Sequence, residues 1–170
     1  METIFGIIAA LIFALYTAIV IKKTGGIPYS ISETYYRLEN PKWFSVCMAL
    51  DGFTFFGSAV GRTPDTCQFL VFLSLIGVLI IALSPRFKEK KEGIIHYIGT
   101  AILLLSSQAW VACTNPWLLV IWLLPLVYIV RHVMADNIKT DLWSTIVFAR
   151  SAFWLEITGF FILFLNLLLL

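Results

Sequence analysis

The sequence predicts an all-α, polytopic membrane protein: a single domain built as a bundle of six transmembrane helices. Of its 170 residues, 60% are hydrophobic and only 13% are charged, against about 25% charged in an ordinary soluble domain. Six apolar stretches meet or approach the roughly 20 residues that a spanning helix needs, and each is bounded by charge, Pro or Gly. A soluble fold of this length buries only about two thirds of the surface its chain exposes. With a mean hydropathy of +0.92, the apolar excess would face water unless lipid replaced it.

The first stretch, residues 3–21, begins beside Glu2 and runs into Lys22 and Lys23. It has no basic leader and no small-residue cleavage site, so it reads as a retained helix and not as a signal peptide. The second and third stretches, 43–60 and 67–84, are separated by Arg62 and Pro64, and the fourth, 93–113, follows the charged segment from Arg86 to Lys91. The fifth, 116–133, contains Pro125, which lacks a backbone donor and is expected to kink that helix. Residues 142–149 are apolar but short, predicting an interfacial segment ahead of the sixth stretch, 151–170. No internal repeat or low-complexity linker marks a second domain.

Lys and Arg are retained in short cytoplasmic loops. Here Lys22, Lys23, Arg37, Lys42, Arg86, Lys88, Lys90, Lys91, Arg131, Lys139 and Arg150 all follow the odd-numbered stretches, and only Arg62 falls on the other face. That asymmetry predicts a multi-pass protein of the cell membrane with both termini outside and the basic loops in the cytoplasm. Trp110 and Trp117 near one boundary, and Trp43 and Trp143 near the other, are placed as aromatic belts. A net charge of +2, spread along the chain, excludes a nucleic-acid surface. Three cysteines without metal spacing argue against a disulfide framework or a zinc site, and neither metal nor cofactor is expected. Cys67 and Cys113 fall at the ends of consecutive helices on one side, which leaves both a bridge and two free thiols open.

Ionisable residues inside apolar spans are expensive and point to function. Three stand out: Asp51, His96 and Glu156. At about 1.5 Å rise per residue, His96 lies roughly 7 Å past Lys91, Glu156 roughly 9 Å past Arg150, and Asp51 roughly 13 Å past Lys42. The second, fourth and sixth helices start from the same face, so all three residues share a side by parity and are expected to converge. Helical spacing adds Cys47, Thr54 and Ser58 to Asp51, adds Gly99, Thr100 and Ser107 to His96, and adds Gly159 and Phe160 to Glu156. A structural alternative stands beside the functional one, in which Glu156 simply pairs with His96 or Arg150 and fixes register.

The first loop, from Gly25-Gly26 through Pro28-Tyr29-Ser30-Ile31-Ser32-Glu33-Thr34-Tyr35-Tyr36 to Arg37, is rich in turn formers and hydroxyls. One reading is an interfacial loop with Tyr anchors and a Ser32 or Thr34 helix cap. The other is a re-entrant lid over the polar seam, offering Ser30, Ser32, Glu33 and Arg37 to a polar headgroup.

The run Pro28–Thr34, the His96-Tyr97-Ile98-Gly99 entering the fourth helix and Glu156 entering the sixth resemble the DRAM-type six-helix membrane proteins. That group also takes in a GPI-anchor lipid-remodelling protein. The pattern departs from the family's Pro-x-Ile-Ser-Asp-Thr-Gly, with one extra residue before Ile31, Glu33 for the Asp and Tyr35 for the Gly. Trp154 precedes Glu156, whereas the family places a Trp after its Glu. Eukaryotic members would carry this motif face away from the cytosol, opposite to the basic-residue count. The resemblance implies a lipid-associated six-helix bundle and no particular reaction.

Three functions follow as expectations. The first is a lipid-associated protein that binds or senses a headgroup through Asp51, His96, Glu156 and Thr100, with the loop residues Ser32, Glu33 and Arg37 as cover. Chemistry at the same site would use His96 as acid or base and the Ser32 hydroxyl, but no GxSxG elbow or HExxH motif accompanies them, so binding is favoured over catalysis. The second is a small channel or proton-coupled carrier. The third is an accessory subunit, with a protein partner or a second copy of the chain in addition to membrane lipids.

Overall fold

The computed structural model describes residues 2–135 and 150–170; the expected interfacial stretch 142–149, with Trp143, and also Lys139 lie outside the described residues. The described elements are all helical: α1 (Glu2–Thr24), a single turn α2 (Thr34–Arg37), α3 (Lys42–Arg62), α4 (Asp65–Leu83), α5 (Lys90–Thr114), a 3-10 stretch (Pro116–Trp122), α6 (Leu123–Ala135) and α7 (Ser151–Leu169). Five of them, α1, α3, α4, α5 and α7, are long and apolar enough to cross a membrane, and Pro116–His132 forms a shorter apolar segment. Each long helix but α7 extends beyond its apolar stretch into charged or polar residues such as Lys22, Lys23, Lys90 and Asp65. Backbone hydrogen bonding continues where hydrocarbon ends, so composition alone sets these bounds too short.

The ends follow local chemistry. α1 stops at Gly25, whose φ of 69° is left-handed, and the Gly26 N–H reaches back 3.2 Å to the Ile21 carbonyl. That is the six-to-one bond of a Schellman ending, which favours glycine. The fifth stretch departs from expectation. It opens as a 3-10 helix, and Pro125 is the third residue of the α-helix that follows. A proline in the first turn removes a donor that has no intrahelical acceptor. Instead of kinking a continuous helix, Pro125 sits just past the change from 3-10 to α geometry.

Small residues decide how closely the helices approach, as is usual in membranes, where lipid is as apolar as the side chains. A methyl built on Gly77 of α4 would lie 2.5 Å from the Leu103 backbone nitrogen and 2.9 Å from the Gly99 carbonyl oxygen of α5. On Gly52 of α3 it would lie 2.5 Å from Val78 Cγ1 of α4, and on Gly6 of α1 it would lie 2.8 Å from Ser58 Oγ of α3 and 3.0 Å from Leu167 of α7. Hydroxyls bridge the same seams: Ser74 and Ser106 are 2.9 Å apart, and Ser58 donates to the Glu2 carbonyl at 2.6 Å.

Two apolar clusters fill the bundle. Phe13, Val20, Phe44, Met48, Ile81 and Phe153 gather with Ile31 at the loop end. Val71, Trp110, Leu118, Ile162 and Leu167 gather at the other. Trp110 is therefore a core residue and not part of an aromatic belt. It is 1% exposed and donates its Nε1–H to Thr63 Oγ1 at 3.0 Å. Trp43 and Trp117 are exposed, as belt residues should be. Cys67 and Cys113 are both free thiols.

Gly77→Ala forces α4 and α5 apart and should lower stability in detergent by about 1–3 kcal/mol, the usual cost of overpacking. Gly57→Ala, whose added methyl comes no closer than 3.9 Å to Phe5, should leave the thermal midpoint unchanged or raised. Equal midpoints for the two variants would contradict this packing.

Candidate functional site: a loop strapped across the helix ends

The loop between α1 and α3 folds back over the bundle. Its local shape comes from its own polar residues. Ser30 Oγ accepts the Glu33 N–H at 3.0 Å, Glu33 Oε2 accepts the Tyr29 N–H at 2.7 Å, and Arg37 pairs with the same oxygen at 3.1 Å. Thr34 donates to the Ile31 carbonyl at 2.5 Å, and its Oγ1 lies 2.5 Å from the Tyr16 hydroxyl of α1. With Ser30 and Thr34 5% and 1% exposed, this turn is a packed unit.

Three further bonds then fasten the turn to α7 and α5, and a fourth ties α5 to the end of α4. The Ile31 N–H donates to Glu156 Oε2 of α7. The Phe153 N–H, in the first turn of α7, donates to the Tyr29 carbonyl at 2.9 Å. Ser32 Oγ lies 3.0 Å from His96 Nε2 of α5, and His96 Nδ1 lies 2.8 Å from the Ser84 carbonyl that ends α4. A carbonyl oxygen only accepts, so Nδ1 carries the proton. In the neutral ring Nε2 then accepts from the Ser32 hydroxyl.

Tyr36 completes the seat. Its hydroxyl accepts the Lys88 N–H at 2.9 Å, the Lys88 ammonium lies 4.6 Å from its ring centroid, and Phe87 meets it edge-on at 5.4 Å. Beside it, Arg86 is ion-paired to Glu92 and to Glu89, which hold its guanidinium above the usual range.

His96 and Glu156 do meet at one place, joined through consecutive loop residues. Asp51 does not join them. It is 2% exposed, its Oδ1 has no partner among the described residues, and it borders a separate cavity of about 30 Å³ with Ser74, Val78 and Phe160. A space of that size holds about one water. The pairing of Glu156 with His96 or Arg150 is replaced by backbone bonding to Ile31. Ser32 and Thr34 are not helix caps. Ser30, Ser32 and Glu33 use polar atoms to fasten the loop, while Arg37, paired with Glu33 through one nitrogen, remains exposed.

A larger space lies alongside. Between α5, α7 and the 3-10 stretch runs a groove of about 310 Å³, walled by Leu103, Leu104, Leu155, Phe160, Leu163 and Trp122, with Thr100, Glu156, Ser107 and Gln108 as its polar groups. Thr100 donates to the His96 carbonyl at 2.9 Å, and Gln108 Oε1 accepts the Trp122 indole N–H at 2.8 Å. Gly159 leaves it open: a methyl there would stand 3.5 Å from the Trp122 ring. The volume falls in the roughly 300–1,000 Å³ range of small-molecule sites.

Sequence reasoning missed Tyr16 and Trp122, which read as ordinary apolar-span residues. It also placed the polar groups too much on one side. Asn166, fully buried near the far end, accepts from Thr114 at 3.0 Å and from Asn115 at 2.8 Å.

Together these features define a helical protein of the membrane-spanning type, with a loop pinned across the ends of its helices. No protein-family model, curated protein or solved structure matches the chain.

His96→Ala leaves the Ser84 carbonyl and the Ser32 hydroxyl without their partner, at about 1–3 kcal/mol for each group left buried and unbonded. Ser32→Ala keeps the Ser84 bond and should cost less. Proteolysis within residues 25–33 should therefore accelerate markedly for His96→Ala and modestly for Ser32→Ala. Wild-type cleavage rates in His96→Ala would show that the imidazole does not hold the loop.

Proposed function

We propose that this protein crosses the cell membrane six times, with both termini outside and the basic loops in the cytoplasm, and holds a membrane lipid in the groove between α5 and α7. The fifth crossing in chain order is made by Pro116–Trp122 and Leu123–Ala135 together. Laid end to end at about 2.0 and 1.5 Å per residue, they rise roughly 33 Å, enough for a hydrocarbon core of about 30 Å.

The observation that carries the lipid reading is the groove itself. Apolar walls run along two parallel helices, a carboxylate and a hydroxyl stand among them, and the strapped loop reaches that carboxylate through Ile31. Such a space suits an amphipathic molecule better than water or an ion. The resemblance to DRAM-type proteins belongs to this reading, since the three segments that carry it, 28–34, His96 and Glu156, meet at the strapped loop.

A channel or proton-coupled carrier is less well supported. The Asp51 cavity and the Glu156 groove share Leu103, Phe160 and Leu163 as a wall, and three apolar side chains interrupt a polar path.

Gly159→Leu places a branched side chain into the groove against Trp122. Protein purified in mild detergent should carry a stoichiometric lipid by native mass spectrometry, and Gly159→Leu should retain severalfold less at an unchanged thermal midpoint. Equal retention in the two proteins would contradict the groove as the lipid site.

A further inference from the structure

The chemistry of the groove narrows the class of lipid, on the reading that the groove holds one. Among its lining residues are no Lys, Arg or His, while Glu156 is an acid. Only one of the Glu156 carboxylate oxygens is bonded, to the Ile31 N–H. The other has no partner among the described residues. Thr100 has given its proton to the His96 carbonyl, so toward the groove its oxygen can only accept. Ser107 has likewise donated to the Leu104 carbonyl, and it accepts from Gln108 at 3.4 Å. The remaining amide hydrogen of Gln108 is the one spare donor, at the Trp122 end of the groove.

Around Glu156 the unused polar capacity is thus one carboxyl oxygen and the Thr100 oxygen, with no cation beside them among the lining residues. A phosphate there would meet an acidic side chain and no cation, the reverse of the Arg- and Lys-lined sites that phosphates take. The ammonium headgroups of bilayer phospholipids carry a phosphate a few atoms away and meet the same obstacle. A hydroxyl headgroup meets none: it supplies a donor, adds no charge, and leaves the chains to the Leu, Phe and Trp walls.

We propose that the groove between α5 and α7 selects a phosphate-free, hydroxyl-headed lipid, such as a diacylglycerol or a ceramide, whose O–H donates to the free Glu156 carboxylate oxygen beside Thr100. Acceptor-lined apolar sites discriminate in this way because a ligand without the donor leaves a buried acceptor unpaired.

The test uses full-length protein in phosphatidylcholine nanodiscs and chain-matched lipids that carry a diazirine on one acyl chain. Four headgroups are compared: diacylglycerol, its acetylated hydroxyl, phosphatidic acid, and ceramide. Photolabelled peptides are then read by mass spectrometry. Diacylglycerol or ceramide should label α5 and α7 peptides about tenfold more than the acetylated and phosphate forms, the worth of one hydrogen bond. Whichever of the two dominates names the source of the hydroxyl.

Glu156→Gln sharpens the outcome. Its amide oxygen still accepts the Ile31 N–H, so the loop stays fastened, while its amide nitrogen turns the spare position from acceptor to donor. In this variant the preference should fall to near unity or pass to the acetylated lipid. Thr100→Val should halve the preference or reduce it further without disturbing helix packing.

Equal groove labelling by all four lipids, or an unchanged preference in Glu156→Gln, would overturn the hydroxyl selectivity and leave the lipid-holding groove standing. Absence of α5 and α7 labelling by every probe would overturn both.

Discussion

A carboxylate placed among apolar transmembrane helices must find a donor, because an unpaired charge or acceptor there costs several kcal/mol. Glu156 finds its donor in the backbone of Ile31, 125 residues away along the chain. Most of the loop-end architecture depends on that single requirement. To deliver the Ile31 N–H, residues 28–34 turn back onto the bundle and hold a compact shape through Ser30, Glu33 and Arg37. The same turn then supplies the Tyr29 carbonyl to the first turn of α7, where N–H groups have no intrahelical acceptor. It also brings Ser32 to His96, whose other nitrogen is bonded to the carbonyl of Ser84, the residue that caps α4. One loop thereby ties together the ends of α4, α5 and α7.

The bundle below is arranged by small residues. Gly77 and Gly99 let α4 and α5 pack nearly backbone to backbone, and Gly52 of α3 makes room for the Val78 side chain of α4. α5 and α7, by contrast, stand far enough apart for a groove, and Gly159 keeps it open instead of closing it. Where α4 meets α5, glycine is a contact; where α7 meets α5, it is a space. The different use of the same residue type separates the rigid part of the bundle from the part with room for a ligand.

Much of the fold was legible in the sequence, since a spanning helix announces itself by length and composition. Five of the six expected stretches match long helices to within a few residues. Parity was legible too: helices that start from one face put His96 and Glu156 at one end with the first loop. Contacts were not. Nothing local distinguishes Ile31 from any other apolar residue, because its role lies in a backbone N–H. Tyr16 read as one aromatic among many until Thr34 came within hydrogen-bond reach. Trp110 sits at a boundary by sequence position, yet an indole that can reach Thr63 is better placed inside. Asp51 was grouped with His96 and Glu156 because depth along a helix is readable, while rotation about it is only approximate. On α3 it turns toward α4 and Phe160.

Glu156 holds the loop down by accepting the Ile31 N–H. Hydrogen exchange of the 29–34 segment in lipid nanodiscs measures this most directly, comparing wild type with Glu156→Leu, which keeps the volume and removes the acceptor. Protection of these amides should fall by about tenfold or more, in line with a lost buried hydrogen bond, while the middle of α4 and of α5 stays protected. Unchanged protection of the 29–34 segment in Glu156→Leu would show that the loop is held by packing alone and that the strap is not the organising contact.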